Sequence, residues 1–503
     1  MTRRIRFRID RESGQQRPGT ERPSGDTCRM NWLRRLSHKI AALVVALVTL
    51  PIGIHTENKS WGADSASRPN VVIILADDLG YGDLACYGHK TFKTPRLDRL
   101  ANEGTRLTQF NTPMPFCAPT RSALLTGRYP FHNGMMGNPA PDGGEKADQM
   151  GLSLNEVTLA QVLKQAGYAT ACIGKWHLGH QPQFMPTRRG FDEYYGIPYS
   201  NDMRPVKLVD GERDVEYPVF QSTLTKRYTA RAIEFVRKHR EQPFLLYLPH
   251  AMPHKPLAVA EENYKRSGDG LYADTIAELD ASIGQLLDTL DELKLTDNTV
   301  VVFTSDNGPW YGGSTGGLRG MKGSTWECGY RVPCIVRWPG KIPAAKVSQH
   351  IAGTMDIFPT VLKATGVEAP EGRELDGRDL LPALNGSAER VHEYLIGSNG
   401  QQPANIRDER WKLHIAAPGK GRFYDPNKPW FDPRGPDGIT ILAPYEQYRT
   451  DAHPGVTTGI ESKPLLLFDL QADPSEQVDV AEKHPEVVAR LKQQFAQLTA
   501  SGK

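Results

Sequence analysis

Cysteine is scarce in this chain. There are six in 503 residues, and no two are spaced Cys-x-x-Cys, which removes the ligand pattern of structural zinc modules. Beyond Cys28 and Cys117, the residues Cys86, Cys172, Cys328 and Cys334 suit either one or two disulfides or buried free thiols. Long apolar runs are missing as well. The most extended, Ile40–Leu50, is too short for a helix that crosses a bilayer. Internal repeats and low-complexity tracts are absent, so solenoids and other repeat arrays are excluded.

A general excess of basic charge is also missing. The chain is +3 overall, but residues 1–39 hold eleven Lys/Arg against four Asp/Glu, a net of +7 that leaves the remainder at −4. Nucleic-acid binding gains no support from that distribution. Arg34, Arg35 and Lys39 precede the Ile40–Leu50 run, and small residues follow near Gly62–Ala66. Basic segment, apolar core and small-residue exit describe a secretory signal. Met30 begins a segment of ordinary signal length, and translation is expected to start there. The product is expected to be exported, periplasmic or secreted, touching a membrane only through an uncleaved signal.

What remains is a soluble globular composition, 39% hydrophobic and 24% charged, long enough for one large domain and a smaller one. We expect an extension and signal over 1–65, a catalytic domain over 66–389 and an α+β subdomain over 390–503. Asn70–Leu75 is a continuous β-branched run, as in a strand buried on both faces, and it ends in Asp77-Asp78. Thr94, Pro95, Leu97, Leu100 and Gly104 punctuate a helix, with Thr94 as its cap. Helix then strand recurs three times: Thr158–Ala166 with Ala169–Ile173, Leu224–Lys238 with Pro243–Leu248, and Leu271–Leu293 with Thr299–Thr304. Polar clusters follow these strands: Gly174-Lys-Trp-His-Leu-Gly179, then His250 and His254, then Asp306-Asn307. Alternating elements imply a large, mainly parallel α/β sheet flanked by helices. Ligands in such sheets gather at the strands' carboxyl ends.

Beyond Val332–Trp338 and a helix near Met355–Thr365, short strands at Trp411–Ile415 and Leu465–Asp469 and a helix over Pro485–Leu498 suggest a short antiparallel sheet. Between them, 417–463 is rich in Pro, Gly and aromatics, with Trp430, Phe431 and Tyr445, and is expected to shape the site.

The organising stretch is Cys117-Ala-Pro-Thr-Arg-Ser-Ala-Leu-Leu-Thr-Gly-Arg128. Locally it is a loop feeding a short helix stopped by Gly127, with Cys117 at the positive end, where a thiolate or oxyanion is stabilised. Arg121 lies one turn on. Asp77, Asp78, Asp306 and the carbonyl of Asn307 offer hard oxygen ligands suited to Ca²⁺ or Mg²⁺.

The run closely resembles the signature of the type I sulfatases, Cys-x-Pro-x-Arg followed by Leu-Thr-Gly-Arg. The likeness continues through Gly-Lys-Trp-His-Leu-Gly, His-x-x-Pro-His-x-Pro, Met-Lys-Gly-Ser-Thr-Trp-Glu and Leu467–Glu476. Gly196–Asn201 is similar to arylsulfatase A-like members. The resemblance implies an alkaline phosphatase-like fold and sulfate-ester hydrolysis. It implies that a maturation enzyme oxidises Cys117 to Cα-formylglycine, whose hydrate carries two hydroxyls: one attacks sulfur, the other expels sulfate by collapse to the aldehyde. It implies a divalent cation, usually calcium, on Asp77, Asp78, Asp306, Asn307 and a formylglycine oxygen from position 117. Arg121, Lys175, Ser200 and Lys322 then bind sulfate, His254 protonates the departing alcohol and His177 serves the diol. Cys328 stands where glycine is usual and removes no ligand. A formylglycine-dependent phosphonate or phosphate monoester hydrolase, and an inactive binder of sulfated polysaccharide, are the alternatives. Asp306-Asn307 in place of Asp-His favours sulfate over the first. Sulfated glycans are the expected natural substrates, with aryl sulfates as assay substrates.

Overall fold

The computed structural model describes residues 68–419 and 459–500. The signal segment, and most of the 417–463 loop with Trp430, Phe431 and Tyr445, lie outside the described residues.

The four strands expected for the large sheet, and the two expected near the C-terminus, form within a residue or two of the predicted bounds. In chain order the strands are β1 (Asn70–Ala76), β2 (Thr105–Leu107), β3 (Phe110–Asn111), β4 (Ala169–Ile173), β5 (Glu193–Gly196), β6 (Leu208–Asp210), β7 (Arg213–Glu216) and β8 (Phe244–Pro249). They continue as β9 (Thr299–Ser305), β10 (Cys334–Arg337), β11 (Lys346–Ser348), β12 (Ala352–Gly353), β13 (Leu395–Ser398), β14 (Pro403–Arg407), β15 (Trp411–His414) and β16 (Leu466–Asp469). Ten make one sheet, ordered β11-β2-β10-β9-β1-β8-β4-β5-β6-β7. Its centre, β9-β1-β8-β4-β5, is parallel throughout. β10 joins β9 antiparallel on one side, and β6 and β7 extend the other side antiparallel.

Both faces are covered. Along β1, Val72, Ile74 and Ala76 pack with Leu97 and Leu100 and with the helices Leu224–Lys238 and Leu271–Glu292. Val71, Ile73 and Leu75 point the other way, to Leu124 and Leu125 of the helix Cys117–Thr126 and to the helices Leu159–Gln165 and Ile357–Thr365. Two buried faces are why β1 reads as unbroken Val and Ile rather than alternating. Thr158, expected as the first residue of its helix, is instead its cap, in a capping box with Gln161.

Thr94 does not cap the helix Pro95–Glu103. Its hydroxyl donates to Asp98 at 3.1 Å and accepts from the amide of Ala85. Asp280, from the long Leu271–Glu292 helix, instead accepts the amides of Leu97 at 2.8 Å and Arg96 at 3.1 Å. The free helix end is satisfied from across the core.

β13-β14-β15-β16 form the expected antiparallel sheet. The helix Pro485–Ala500 buries Val487 and Leu491 against Ile406, Leu413 and Leu467 in a cluster that also takes in Ala123 of the Cys117 helix. The five described cysteines are all free thiols, Cys86 half-buried and the others buried. No described helix is long and apolar enough to cross a membrane.

Candidate active site

Because β9, β1, β8 and β4 are consecutive parallel neighbours, their carboxyl ends share one edge of the sheet. Four separate exits in sequence thus become one site. Asp77-Asp78 leave β1, Lys175 and His177 leave β4, His254 follows β8, and Asp306-Asn307 leave β9.

Cys117 enters the same edge as the first residue of its helix. Its Sγ is 3.5 Å from Asp77 Oδ1 and 3.3 Å from Lys322 Nζ. Asn138 accepts the next amide, of Ala118, at 3.1 Å. The expected stabilisation of a thiolate by the helix end does not prevail: burial pushes the thiol pKa well up, against the pull of Lys175 and Lys322. The unmodified thiol is a neutral donor to Asp77.

The charged groups around it are buried, except Lys322, which is half-buried. Arg121 donates from Nε and Nη2 to Asp306 Oδ2 at 3.0 and 2.8 Å, and from Nη1 to the carbonyl of Lys175 at 2.7 Å. Lys175 Nζ is bonded to Asp77 Oδ2 and to Ser200 Oγ, the latter at 3.1 Å. Lys322 Nζ donates to Asp78 Oδ1 at 2.6 Å. Burial raises the pKa of Asp78, with Lys322 opposing and Asp306 adding; burial likewise raises that of Asp306, with Asp77 adding and Arg121 opposing.

The histidines have fixed tautomers. His177 Nε2 is 3.2 Å from the carbonyl of Pro139, so it carries the proton, and Nδ1 is buried with no partner. Burial, then Lys175, Arg121 and Lys322, hold its pKa well below the usual range, so the ring is neutral with an unprotonated Nδ1. His254 Nδ1 donates to the carbonyl of Lys255 at 2.6 Å, while Nε2 lies 3.5 Å from Ser200 Oγ and 3.6 Å from Asp78 Oδ2. His250 does not join them. Its ring lies by Tyr228, and burial lowers its pKa to about 3.

The donor set fits a hard cation. Asp77, Asp78, Cys117 and His254 each place a ligand atom within 4.8 Å of the others, all buried. Asp78 Oδ2 and Asn307 Oδ1 accept no hydrogen bond, because Asn307 turns its amide nitrogen to Asp78 Oδ1 and to Gly308. Buried oxygens without donors are expensive, and a cation held here would satisfy them. Asp306 adjoins this cluster with its Oδ2 committed to Arg121.

A family model described as Sulfatase matches residues 69–367. The chain belongs to the sulfatase family. Human steryl-sulfatase is 33% identical, across 83% of this chain and 85% of that one. Human N-acetylgalactosamine-6-sulfatase is 38% identical, across 69% and 71%. A 6S-sulfatase structure, from work on glycosaminoglycan metabolism by Bacteroides thetaiotaomicron, superposes with a TM-score of 0.72 at 29% identity, covering 86% of this chain and all of that one. The fold is that of alkaline phosphatase-like sulfatases, and this sulfatase hydrolyses sulfate monoesters.

Three supporting residues had no role assigned from the sequence, although Glu327 and Glu476 end two of the quoted motifs. Asp83 accepts the amides of Gly80 and Ser314 at 2.6 Å each and the hydroxyl of Tyr272 at 2.7 Å, tying the loop after β1 to the one after β9. A third carboxylate in one glycine-rich loop was its available signal. Glu327 and Glu476, both fully buried, pair with Arg331, Arg407, Lys412 and His414. Arg331 is four residues from Glu327, but no local pattern marks the other partners, which are 62 or more residues from the carboxylate they meet. The unusual Cys328 is simply buried, its Sγ 3.9 Å from the carbonyl of Thr315.

Proposed function

We propose that the nucleophile is formylglycine made from Cys117 by a maturation enzyme, and that the substrate is a sulfated carbohydrate met after export. The observation that carries this reading is the placement of Cys117 Sγ between Lys322 Nζ and Asp77 Oδ1, inside the buried Asp77, Asp78 and His254 group. The hydrated aldehyde supplies one hydroxyl to attack sulfur and a second whose collapse frees sulfate. Asp77, Asp78, Asp306 and Asn307 would hold calcium or magnesium, which when bound would supply positive charge against the sulfate oxygens.

The chain's own groups do the rest. Lys175, Lys322 and Arg121 form the cationic wall for the sulfate oxygens, with Ser200 beside Lys175 as a neutral donor. The unprotonated Nδ1 of His177 takes the proton of the diol. His254, with Nδ1 held by a carbonyl, gives its Nε2 proton to the departing alcohol. That donation requires the doubly protonated ring.

Relatives named for a steroid sulfate and for an amino-sugar 6-sulfate bracket the substrate class. The exported character favours the sugar. Mass spectrometry of the Cys117 peptide from the native source tests the modification. Cys117→Ala is expected to abolish turnover, and Cys117→Ser to stall as a sulfated enzyme, since a single hydroxyl cannot collapse. Ordinary turnover by either variant overturns the mechanism. Rates on matched aryl sulfate and aryl phosphate separate it from a phosphate or phosphonate monoester hydrolase, against which Asn307 argues. A fully unmodified Cys117 in the native protein would leave a sulfate-ester binder.

A further inference from the structure

Lys322 sits on a tight excursion of chain between β9 and β10, and the two feet of that excursion meet one residue of the C-terminal region. At the first foot, Arg319 donates from Nη1 to the backbone carbonyl of Glu476 and from Nη2 to that of Ile460, both at 2.9 Å. At the second foot, the amide of Glu327 donates to Glu476 Oε2. Glu476 Oε1 meanwhile accepts His414 Nε2 at 2.7 Å and lies 3.1 Å from Lys412 Nζ, both on β15. So the backbone of Glu476 grips one foot and its carboxylate the other, while β15 anchors it from behind.

The feet are also joined to each other. The amide of Cys328 donates to the carbonyl of Arg319 at 2.9 Å. The Arg319 guanidinium stacks 3.6 Å from the centre of the Trp326 ring, which packs with Leu466, Phe468 and Leu470. At the crest, the amide of Lys322 donates to Pro309 and that of Gly323 to Pro115, both at 3.0 Å. The first contact ties the crest to the segment after Asp306-Asn307, the second to the segment before Cys117.

Glu476 adopts φ +53°, a left-handed backbone that costs a residue with a side chain. It is fully buried, and its carboxyl stays below the usual range: burial opposes the charge, and Lys412 and His414 outweigh burial. A strained, charged, buried residue persists only where its surroundings over-determine it. We propose that Glu476 is a positioning residue of the sulfatase site, a clamp through which the C-terminal sheet fixes the Lys322 loop against Cys117 and Asp78. The inference rests on Lys322 acting on the sulfate group as assigned above.

A clamp of this kind acts on turnover through Lys322, whereas a purely structural contact acts on stability alone. Glu476→Gln keeps one acceptor oxygen and the volume but cannot hold both the Glu327 amide and the β15 cations. It is expected to lower kcat on an aryl sulfate by about 10–100-fold, the scale of a small misplacement of a catalytic group, with KM changed much less. Arg319→Lys, which releases the other foot, is expected to shift kcat in the same direction and serves if Glu476→Gln does not fold. The deciding measurement is a double-mutant cycle with Lys322→Met: if the clamp acts through Lys322, either change should alter kcat by no more than about twofold in that background. Equal fold losses with and without Lys322, or a lower melting temperature with unchanged kcat, overturn the proposal. Wild-type turnover measured alongside reads the activity itself, so missing coupling in an active wild type counts against the clamp alone.

Discussion

Arg121 and Asp306 form a forked ion pair in which both Nε and Nη2 reach the same Oδ2, at 3.0 and 2.8 Å, with neither side chain exposed. Arg121 also sits 3.5 Å from Asp77 Oδ2 and donates to the carbonyl of Lys175. Three segments of the site therefore converge on one guanidinium. Removing one partner of a buried pair leaves an uncompensated charge, at about 3–5 kcal/mol. Arg121→Ala is predicted to lose stability on that scale in urea unfolding. Arg121→Lys should recover part of it, because an ammonium keeps the charge but cannot span the fork. Wild-type stability in Arg121→Ala would show that the pair holds nothing together.

If the carboxylates at the β1 and β9 exits hold a divalent ion as proposed, the protein is sensitive to chelation. Burial raises the pKa of Asp78 and of Asp306. A raised carboxyl contributes stability that is complete below its unfolded value and is lost as pH rises through its folded value. The metal-free protein is thus most burdened near neutrality. Chelation is predicted to lower the melting temperature and activity at about pH 7.5, with Ca²⁺ or Mg²⁺ restoring both. The drop in melting temperature should be smaller at about pH 5, where protons relieve the same repulsion and metal binding itself weakens. Full activity in a protein shown by elemental analysis to hold no metal would exclude these four ligands.

Much of the candidate site was legible because its proposed metal ligands sit immediately after strands buried on both faces. Runs such as Val71–Leu75 and Val300–Phe303 announce themselves by β-branched continuity. Parallel strands then bring their exits together without any long-range signal. The short strands β2, β6 and β7 carry no such run and were missed. Long-range polar pairing was equally invisible. Thr94 looked like a cap by spacing, but Asp280 supplies it from another helix. The thiol of Cys117 lies at a helix end, yet its burial, which no motif encodes, decides its protonation.

Asp280 gives a prediction far from the chemistry. Burial raises its pKa from 3.8 to about 6, with Asp98 adding and the amides of Leu97 and Arg96 opposing. Its contribution is complete below about pH 4 and is lost as pH rises through about 6, because the folded state holds the proton more tightly. Asp280→Asn keeps Oδ1 for both amides and abolishes the titration. Relative to wild type, it should gain up to about 2–3 kcal/mol between pH 4 and pH 7. Asp280→Ala forfeits the cap, at about 1 kcal/mol, and should fall below Asp280→Asn at every pH. Parallel stability curves for wild type and Asp280→Asn across that range would remove the assignment.

The most discriminating prediction concerns His254, whose Nε2 is poised 3.5 Å from Ser200 Oγ while Nδ1 is held by the carbonyl of Lys255. A ring so oriented offers one proton in one direction. Protonating a leaving group matters most when the alcohol is a poor one, as a sugar hydroxyl is, and least for a nitrophenolate, which departs unaided. If His254 is the general acid, His254→Ala should cost sugar sulfate hydrolysis about 10²–10⁴-fold and nitrophenyl sulfate far less. Lys175→Ala should instead harm both substrates alike, because both carry the same sulfate group, the only part that Lys175 is proposed to bind. Two variants on one substrate panel thus give different patterns, one sloping with leaving-group basicity and one flat. Equal losses on aryl and sugar sulfates for His254→Ala would take the proton-donor role from this histidine and leave it as a wall of the sulfate pocket.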